Sequence, residues 1–208
     1  DRYEAERKLQ HTNALFQAVI DQAPFAITIG EGSANNWSLT LANQEAQRIT
    51  GATAEQQRQI HFVDGKISNP EKRSWEMLHT DGTPIQVQDT PLVKAMSEQR
   101  VTRNKEMVIR RLDGMETYVL GNASPIYGED GNHIAGIFIY PDITELKRKD
   151  ETIRTLSQAM EQSPVAVIIT DPEGIIEYTN RGFELSSGYR SDEVLGKHTR
   201  LLRSGNTA

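Results

Sequence analysis

The segment Gln22-Ala23-Pro24-Phe25-Ala26-Ile27-Thr28-Ile29 returns later in the chain as Gln162-Ser163-Pro164-Val165-Ala166-Val167-Ile168-Ile169. Each copy then reaches an asparagine, Asn43 or Asn180, and seven residues on a Thr-Gly or Ser-Gly pair, Thr50-Gly51 or Ser187-Gly188. Likeness that persists over about thirty residues spans a whole supersecondary unit, which requires two modules of one kind. The copies differ in length where the first has Gly32-Ser33-Ala34-Asn35-Asn36 and the second has Asp171-Pro172-Glu173-Gly174, as expected of a turn between strands.

Composition limits what those modules can do. With 208 residues, 37% of them apolar and 25% charged, the chain can build one good core and part of a second, and it is too apolar for disorder. The absence of cysteine rules out disulfides, thiolate metal sites, a thiol nucleophile and any photochemistry that runs through a cysteinyl adduct. It also fits a cytoplasmic location. A net charge of −6, with no stripe of Lys and Arg, argues against nucleic acid as a partner. No apolar run reaches the roughly 18 to 20 residues of a membrane helix, and the first residues are charged rather than signal-like, so direct membrane contact is not expected.

Along the chain, residues 1–22 read as an amphipathic helix in which Leu9, Phe16 and Val19/Ile20 recur at heptad-like spacing. Pro24 changes the pattern to strand, with Phe25–Ile29 and Trp37–Leu41 as two runs. Asn43 opens a short helix, Gln44–Ile49, stopped by Gly51. Residues 52–73 are polar and aperiodic, and no element is assigned to them. Pro91–Gln99 reads as one amphipathic helix. Asn104–Leu112, Glu116–Tyr127 and His133–Tyr140 read as an antiparallel meander, separated by Asp113-Gly114 and Asp130-Gly131 turns.

Two strands, short helices, a longer helix and three antiparallel strands ending at Asp142-Ile143-Thr144-Glu145 is an order that resembles the PAS domain. Asp113-Gly114, Asn122-Ala123-Ser124-Pro125, Asp130-Gly131 and Asp142-Ile143-Thr144 are similar to its second half residue by residue. The second copy is closer still, through Ile169-Thr170-Asp171-Pro172-Glu173-Gly174, Tyr178-Thr179-Asn180, Gly188-Tyr189-Arg190-Ser191-Asp192-Glu193-Val194-Leu195-Gly196 and Leu201-Leu202-Arg203-Ser204-Gly205. The resemblance implies an α+β PAS fold: an antiparallel sheet of about five strands with short helices on one face, flanked by amphipathic linker helices. It divides the chain into a linker helix at 1–22, a PAS domain at 23–145, an inter-domain helix at 146–162 and a truncated second PAS domain at 163–208. Such a fragment, cut from a longer protein, is expected to lean on another element or to be partly mobile, because two strands bury little surface alone.

The two linker helices carry matching stripes. Leu146, Ile153 and Met160 fall at spacing seven, Leu156 aligns with Phe16, and Met160 aligns with Ile20. Each stripe could pack on its own domain. Two or three heptads flanking a sensor-like module favour parallel dimerisation, with Leu9, Phe16, Ile20, Leu146, Ile153, Leu156 and Met160 as the seam of a homodimer.

Mapped through the resemblance, the pocket-facing residues are Met107 and Ile109 on the first meander strand, Val119, Gly121 and Ala123 on the second, and Phe138 and Tyr140 on the third. Asn43 joins them as a candidate, although an asparagine between strand and helix most simply caps the helix. A packed apolar core without a ligand is favoured over a bound cofactor, and a small-molecule ligand stays open. Flavin photochemistry of the light-sensing relatives needs a Cys and a Gln on the last strand; this chain has no Cys, and Tyr140 takes the Gln position. Haem relatives use a histidine on the longer helix, where none occurs. His11, His61, His79, His133 and His198 lie elsewhere, and no pair has metal-ligand spacing. No cofactor is therefore expected in 23–145, and flavin remains open for a full-length second module.

These expectations give a non-catalytic sensory and dimerisation module of a bacterial signal-transduction protein. Its output, a cyclic-dinucleotide enzyme or a histidine kinase, would lie beyond Ala208. The alternative is a flavin or haem redox or gas sensor. An enzyme in its own right is disfavoured, because no nucleophile and base, paired carboxylates or metal cluster falls at useful spacing.

Overall fold

The computed structural model describes residues 2–203. It divides into two units, one ending at Glu145 and one beginning at Leu146. In the first unit the helix α1 (Arg2–Asp21) leads into β1 (Ala26–Ser33) and β2 (Asn36–Ala42), then the short helices α2 (Gln44–Thr50) and α3 (Ala54–Arg58). Three short strands follow, β3 (His61–Val63), β4 (Lys66–Ile67) and β5 (Trp75–Leu78). The helix α4 (Pro91–Ser97) precedes the meander β6 (Thr102–Arg111), β7 (Glu116–Tyr127) and β8 (His133–Tyr140), after which α5 (Thr144–Glu161) begins.

The expected antiparallel α+β architecture is present, with eight strands in the order β4-β3-β2-β1-β8-β7-β6-β5 instead of about five. The additional three come from the polar stretch and the residues just after it. Each is only two to four residues long, too short to show a period of its own, and each exists because a longer neighbour offers it an edge: Trp37 pairs with Phe62, and Trp75 with Arg111. Leu112 falls outside β6, in the turn with Asp113-Gly114, and is exposed.

Strands β7 and β8 alternate buried and half-buried positions along most of their length, so one sheet face carries Val119, Ala123, Phe138 and Tyr140 into the core. Against that face α4 packs Leu92, Val93, Ala95 and Met96, all buried, and α2 packs Ala46 and Ile49. Gly121 and Gly136 make this close approach possible. A Cβ on Gly121 would stand 2.9 Å from Met107 Cε and 3.0 Å from Phe138 Cε2, and one on Gly136 would stand 2.8 Å from Met96 Sδ.

The chain crossing between α1, the sheet and α2 is held by Asn43, which is fully buried. Its Oδ1 accepts from Ile27 N at 2.9 Å and Ala46 N at 3.0 Å, and its Nδ2 donates to Ile20 O and Phe25 O, each at 2.9 Å. All four hydrogen-bonding positions of the amide are used. At the other end of α2, Gly51 takes φ 69° and bonds Gln47 O, the left-handed cap that the Thr-Gly pair foreshadowed.

In the second unit, β9 (Ile168–Thr170) and β10 (Ile176–Thr179) pair antiparallel, followed by α6 (Arg181–Ser187) and α7 (Ser191–Val194). The junction of the first unit is repeated. Asn180 Oδ1 accepts from Val167 N at 2.8 Å and Phe183 N at 2.9 Å, while Nδ2 donates to Met160 O at 2.8 Å and Val165 O at 2.9 Å. Gly188 caps α6 at φ 78°. A small cluster of Ile176, Phe183 and Val194, with Leu202 against it, supports this unit. Ser204 and Gly205 of the closing motif lie outside the described residues.

Asn43→Ala removes a helix cap and leaves buried backbone groups unpaired, so it should cost about 3 to 4 kcal/mol in urea unfolding of the first unit; a loss under about 1 kcal/mol would show that the bonds are dispensable. Gly121→Leu should overpack the core and cost about 1 to 3 kcal/mol in the same assay, and an unchanged midpoint would mean that space is available there.

Candidate functional site

The sheet face and the helices close over a cavity of about 50 Å³ on the β1–β2 side of the first unit. Its walls are mainly apolar: Trp37 and Leu39 from β2, Phe62 from β3, Trp75 and Met77 from β5, and Leu92 and Val93 from α4. Two ring stacks stiffen it. Trp37 lies on Phe62 with centroids 3.8 Å apart and planes 4° apart, and Phe138 lies on Tyr140 at 4.4 Å and 18°.

Few polar groups reach these walls. The Tyr140 hydroxyl is 3.1 Å from Thr28 Oγ1, and burial pushes its phenol well above the usual range, so it stays neutral. Gln57 is 1% exposed; its Nε2 donates to Thr50 Oγ1 at 3.0 Å and Ala52 O at 3.2 Å, but its Oε1 has no partner in the protein. The Trp37 indole N–H is likewise unpartnered, in a side chain 1% exposed. Thr90, whose Oγ1 donates to Val87 O at 2.7 Å, and Arg73 complete the set; burial lowers the pKa of Arg73 from the ordinary guanidinium value, with Glu76 acting in the opposite sense.

Of the eight sequence-derived pocket residues, Phe138 and Tyr140 line this cavity. Met107, Ile109, Val119 and Ala123 face the same side of the sheet but are packed tight, as is Gly121, because Met96 and Met107 fill the space above β6 and β7. Asn43 is consumed by its four bonds and does not line the cavity. The free space lies further toward the strands that the aperiodic segment hides, so sequence reasoning missed Trp37, Gln57, Arg73 and Trp75. The cue was present in composition: both tryptophans of the chain line the cavity.

The cavity has room for roughly three or four waters, far below the several hundred Å³ that a flavin or haem fills, and no histidine or carboxylate lines it. Among the described residues no group of His, Asp and Glu could hold a metal ion, and no helix is long and apolar enough to cross a membrane.

The cavity wall runs directly into the exit helix. Tyr140 ends β8, and Asp142, two residues on, accepts from Thr144 N at 2.9 Å and pairs with Arg48 of α2 at 2.6 Å. Burial opposes ionisation of Asp142, yet bonds from Thr144 and Arg48 hold its carboxyl below the usual value. The same junction is tied to β7: Ile143 N donates to Tyr118 O at 2.8 Å, and Tyr118 N donates to Thr144 Oγ1 at 2.9 Å.

The seam residues divide. Leu9, Phe16, Leu146, Ile153 and Leu156 are exposed on α1 and α5. Ile20 is not part of any exposed stripe: at 7% exposure it packs into its own unit, its carbonyl is held by Asn43, and Val19, 62% exposed, takes the outward position. Met160 is half-buried, and Asn180 holds its carbonyl in the same way.

Comparison with known proteins agrees with this architecture. A family described as the PAS domain matches residues 24–145, and one described as the PAS fold matches residues 154–208. A 57-residue stretch is 40% identical to the bacterioopsin transcriptional activator of Halobacterium salinarum, covering 26% of this chain and 8% of that protein. The chain thus spans less than a tenth of that relative's length. Among solved structures, the PAS domain of an HTR-like protein from Haloarcula marismortui is 16% identical with a TM-score of 0.45, covering 68% of this chain and 99% of that one. A light-oxygen-voltage protein of Rhodobacter sphaeroides is 17% identical with a TM-score of 0.43, covering 65% and 69%. With the family match extending over more than half of its length, the chain belongs to the PAS domain family.

Proposed function

We propose that residues 23–145 form the input of a signal-transduction protein in which the state of the cavity is reported to α5, and that the helices α1 and α5 pair with those of a second copy. The observation that carries this is the short path from Tyr140, on the cavity wall, to Asp142 and Thr144, which fix the first turn of α5. Only three residues, Pro141 to Ile143, separate the phenol from the helix, and β7 braces the same point. The chain's own role is regulatory, and the catalytic or DNA-binding output belongs to another part of the protein. The likeness to a transcriptional activator of Halobacterium salinarum supports a signalling context without tying it to bacteria or to one output.

What the helices expose supports pairing. Leu9, Phe16 and Val19 on α1, and Leu146, Ile153 and Leu156 on α5, are each 58% or more exposed, and two such stripes on helices that flank a sensor invite a parallel partner.

In sedimentation the chain should run as a dimer, and Phe16→Glu with Leu156→Glu should make it monomeric; a monomer at high micromolar concentration in the unmodified protein would return both helices to solvent. Thr28→Val removes the partner of the Tyr140 hydroxyl at nearly constant volume. It should raise hydrogen exchange at the Ile143 and Tyr118 amides by about tenfold, since an unpaired buried hydroxyl costs about 1 to 3 kcal/mol. Unchanged exchange there would separate the cavity from the helix.

A further inference from the structure

Two polar atoms at the cavity are left without a protein partner, a third group, the half-buried Arg73, has only an aromatic ring beside it, and the three are of complementary kinds. The Trp37 indole N–H is a donor, the Gln57 Oε1 is an acceptor, and both residues are 1% exposed. Arg73 supplies a positive charge that makes no ion pair or hydrogen bond through its guanidinium among the described residues; its neighbour is the Trp75 ring, 5.8 Å away. Glu76, the carboxylate that acts on Arg73 through space, is committed to Arg110 at 2.9 Å. A buried polar atom without a partner is costly, and a desolvated charge more so, so these positions ask for a ligand.

The position of Arg73 also defines an entrance. Ile67, Arg73, Trp75 and Val87 line both the cavity and a shallow groove on the surface beside it, so they form the wall between cavity and solvent. Lys66 stands in that groove, and no Asp or Glu lines the cavity. The charged residues that line the cavity and the groove, Arg73 and Lys66, are both positive, which favours entry of an anion.

We propose that the cavity binds a short carboxylate bearing one hydrogen-bond donor on the adjacent carbon, the chemistry of glycolate. Its carboxylate would take Arg73 and the Trp37 N–H, and its hydroxyl would donate to Gln57 Oε1. Size agrees, because the free space suits a molecule of roughly four to six non-hydrogen atoms. Burial already lowers the pKa of the Arg73 guanidinium, and an anion beside it relieves that cost. An apolar ligand would leave all three groups unpaired, chloride would leave Gln57 unpaired, and a divalent cation would face Arg73 with no carboxylate to hold it. The assignment rests on reading the cavity as the input of the sensor.

Titration calorimetry and thermal unfolding of the whole chain with glycolate, glycine, acetate and sodium chloride at matched ionic strength test it. Glycolate should bind saturably, and acetate and glycine at least about tenfold more weakly, since acetate cannot reach Gln57 and the glycine ammonium would meet Arg73 without a carboxylate. Arg73→Met should abolish binding while circular dichroism stays native, and Arg154→Met, in the other unit and with its side chain 81% exposed, should bind as the parent does. Gln57→Leu should bring glycolate down to the acetate level. Absence of saturable binding, a shift that sodium chloride reproduces, or full binding by Arg73→Met overturns the assignment. Saturable binding that leaves exchange at Ile143 unchanged upholds the ligand and overturns the sensory reading, whereas no binding together with a Thr28→Val effect on Ile143 overturns the ligand alone.

Discussion

A single buried amide holds three elements together in each unit. Where α1 ends, β1 begins and α2 starts, the backbone presents carbonyls and N–H groups that a helix end and a strand end cannot satisfy internally. Asn43 takes two of each, and Asn180 does the same at the equivalent place in the second unit. Glutamine would be too long and aspartate would lack the donors, so the residue type follows from the geometry. The consequence reaches beyond stability: the last turn of the preceding helix is bonded to the sheet, and the angle at which that helix enters is set by the domain it serves.

The exit helix is fixed by different means. Asp142 and Thr144 cap the start of α5, Arg48 ties it to α2, and Tyr118 ties it to β7. Both helices therefore enter or leave through buried or braced bonds, while their own faces stay exposed over most of their length. Rigid joints with open apolar stripes are what a device needs if it passes motion from a core to a helix pair. Tyr140 belongs both to the cavity wall and to the strand that leads into this joint, so a ligand of the proposed kind would act close to the start of α5.

Much of this was legible in the chain. Glu116–Tyr127 and His133–Tyr140 were read to the residue, because ten or so alternating positions bounded by Asp-Gly and Asn turns leave no other period to fit. The repeated asparagine and Thr/Ser-Gly pair marked the start and end of α2 and α6. The stretch from Ala52 to Arg73 hid α3, β3 and β4, and β5 began two residues later, because strands of two to four residues owe their existence to the edge they join and carry no pattern of their own. That gap also displaced the cavity. Residues that face the core by alternation were identified, but which of them border free space depends on how far Met96 and Met107 extend, and side-chain reach is not written in periodicity. The seam was assigned to Ile20, whereas Val19 faces outward: the two are adjacent at the end of α1, and only the way that the helix end meets its own unit separates them.

The account depends on the joint between β8 and α5 being as firm as the sheet itself. Native-state hydrogen exchange of the unmodified chain measures this directly. The amides of Tyr118, Leu120 and Ile143, which bond across the joint to Thr144 Oγ1, Pro141 O and Tyr118 O, should open only with the sheet and match the protection of β6 and β7, while the exposed middle of α5 exchanges faster. Protection at these three amides no greater than in the middle of α5 would show a loose joint and contradict the transmission of any change in the cavity to the helix.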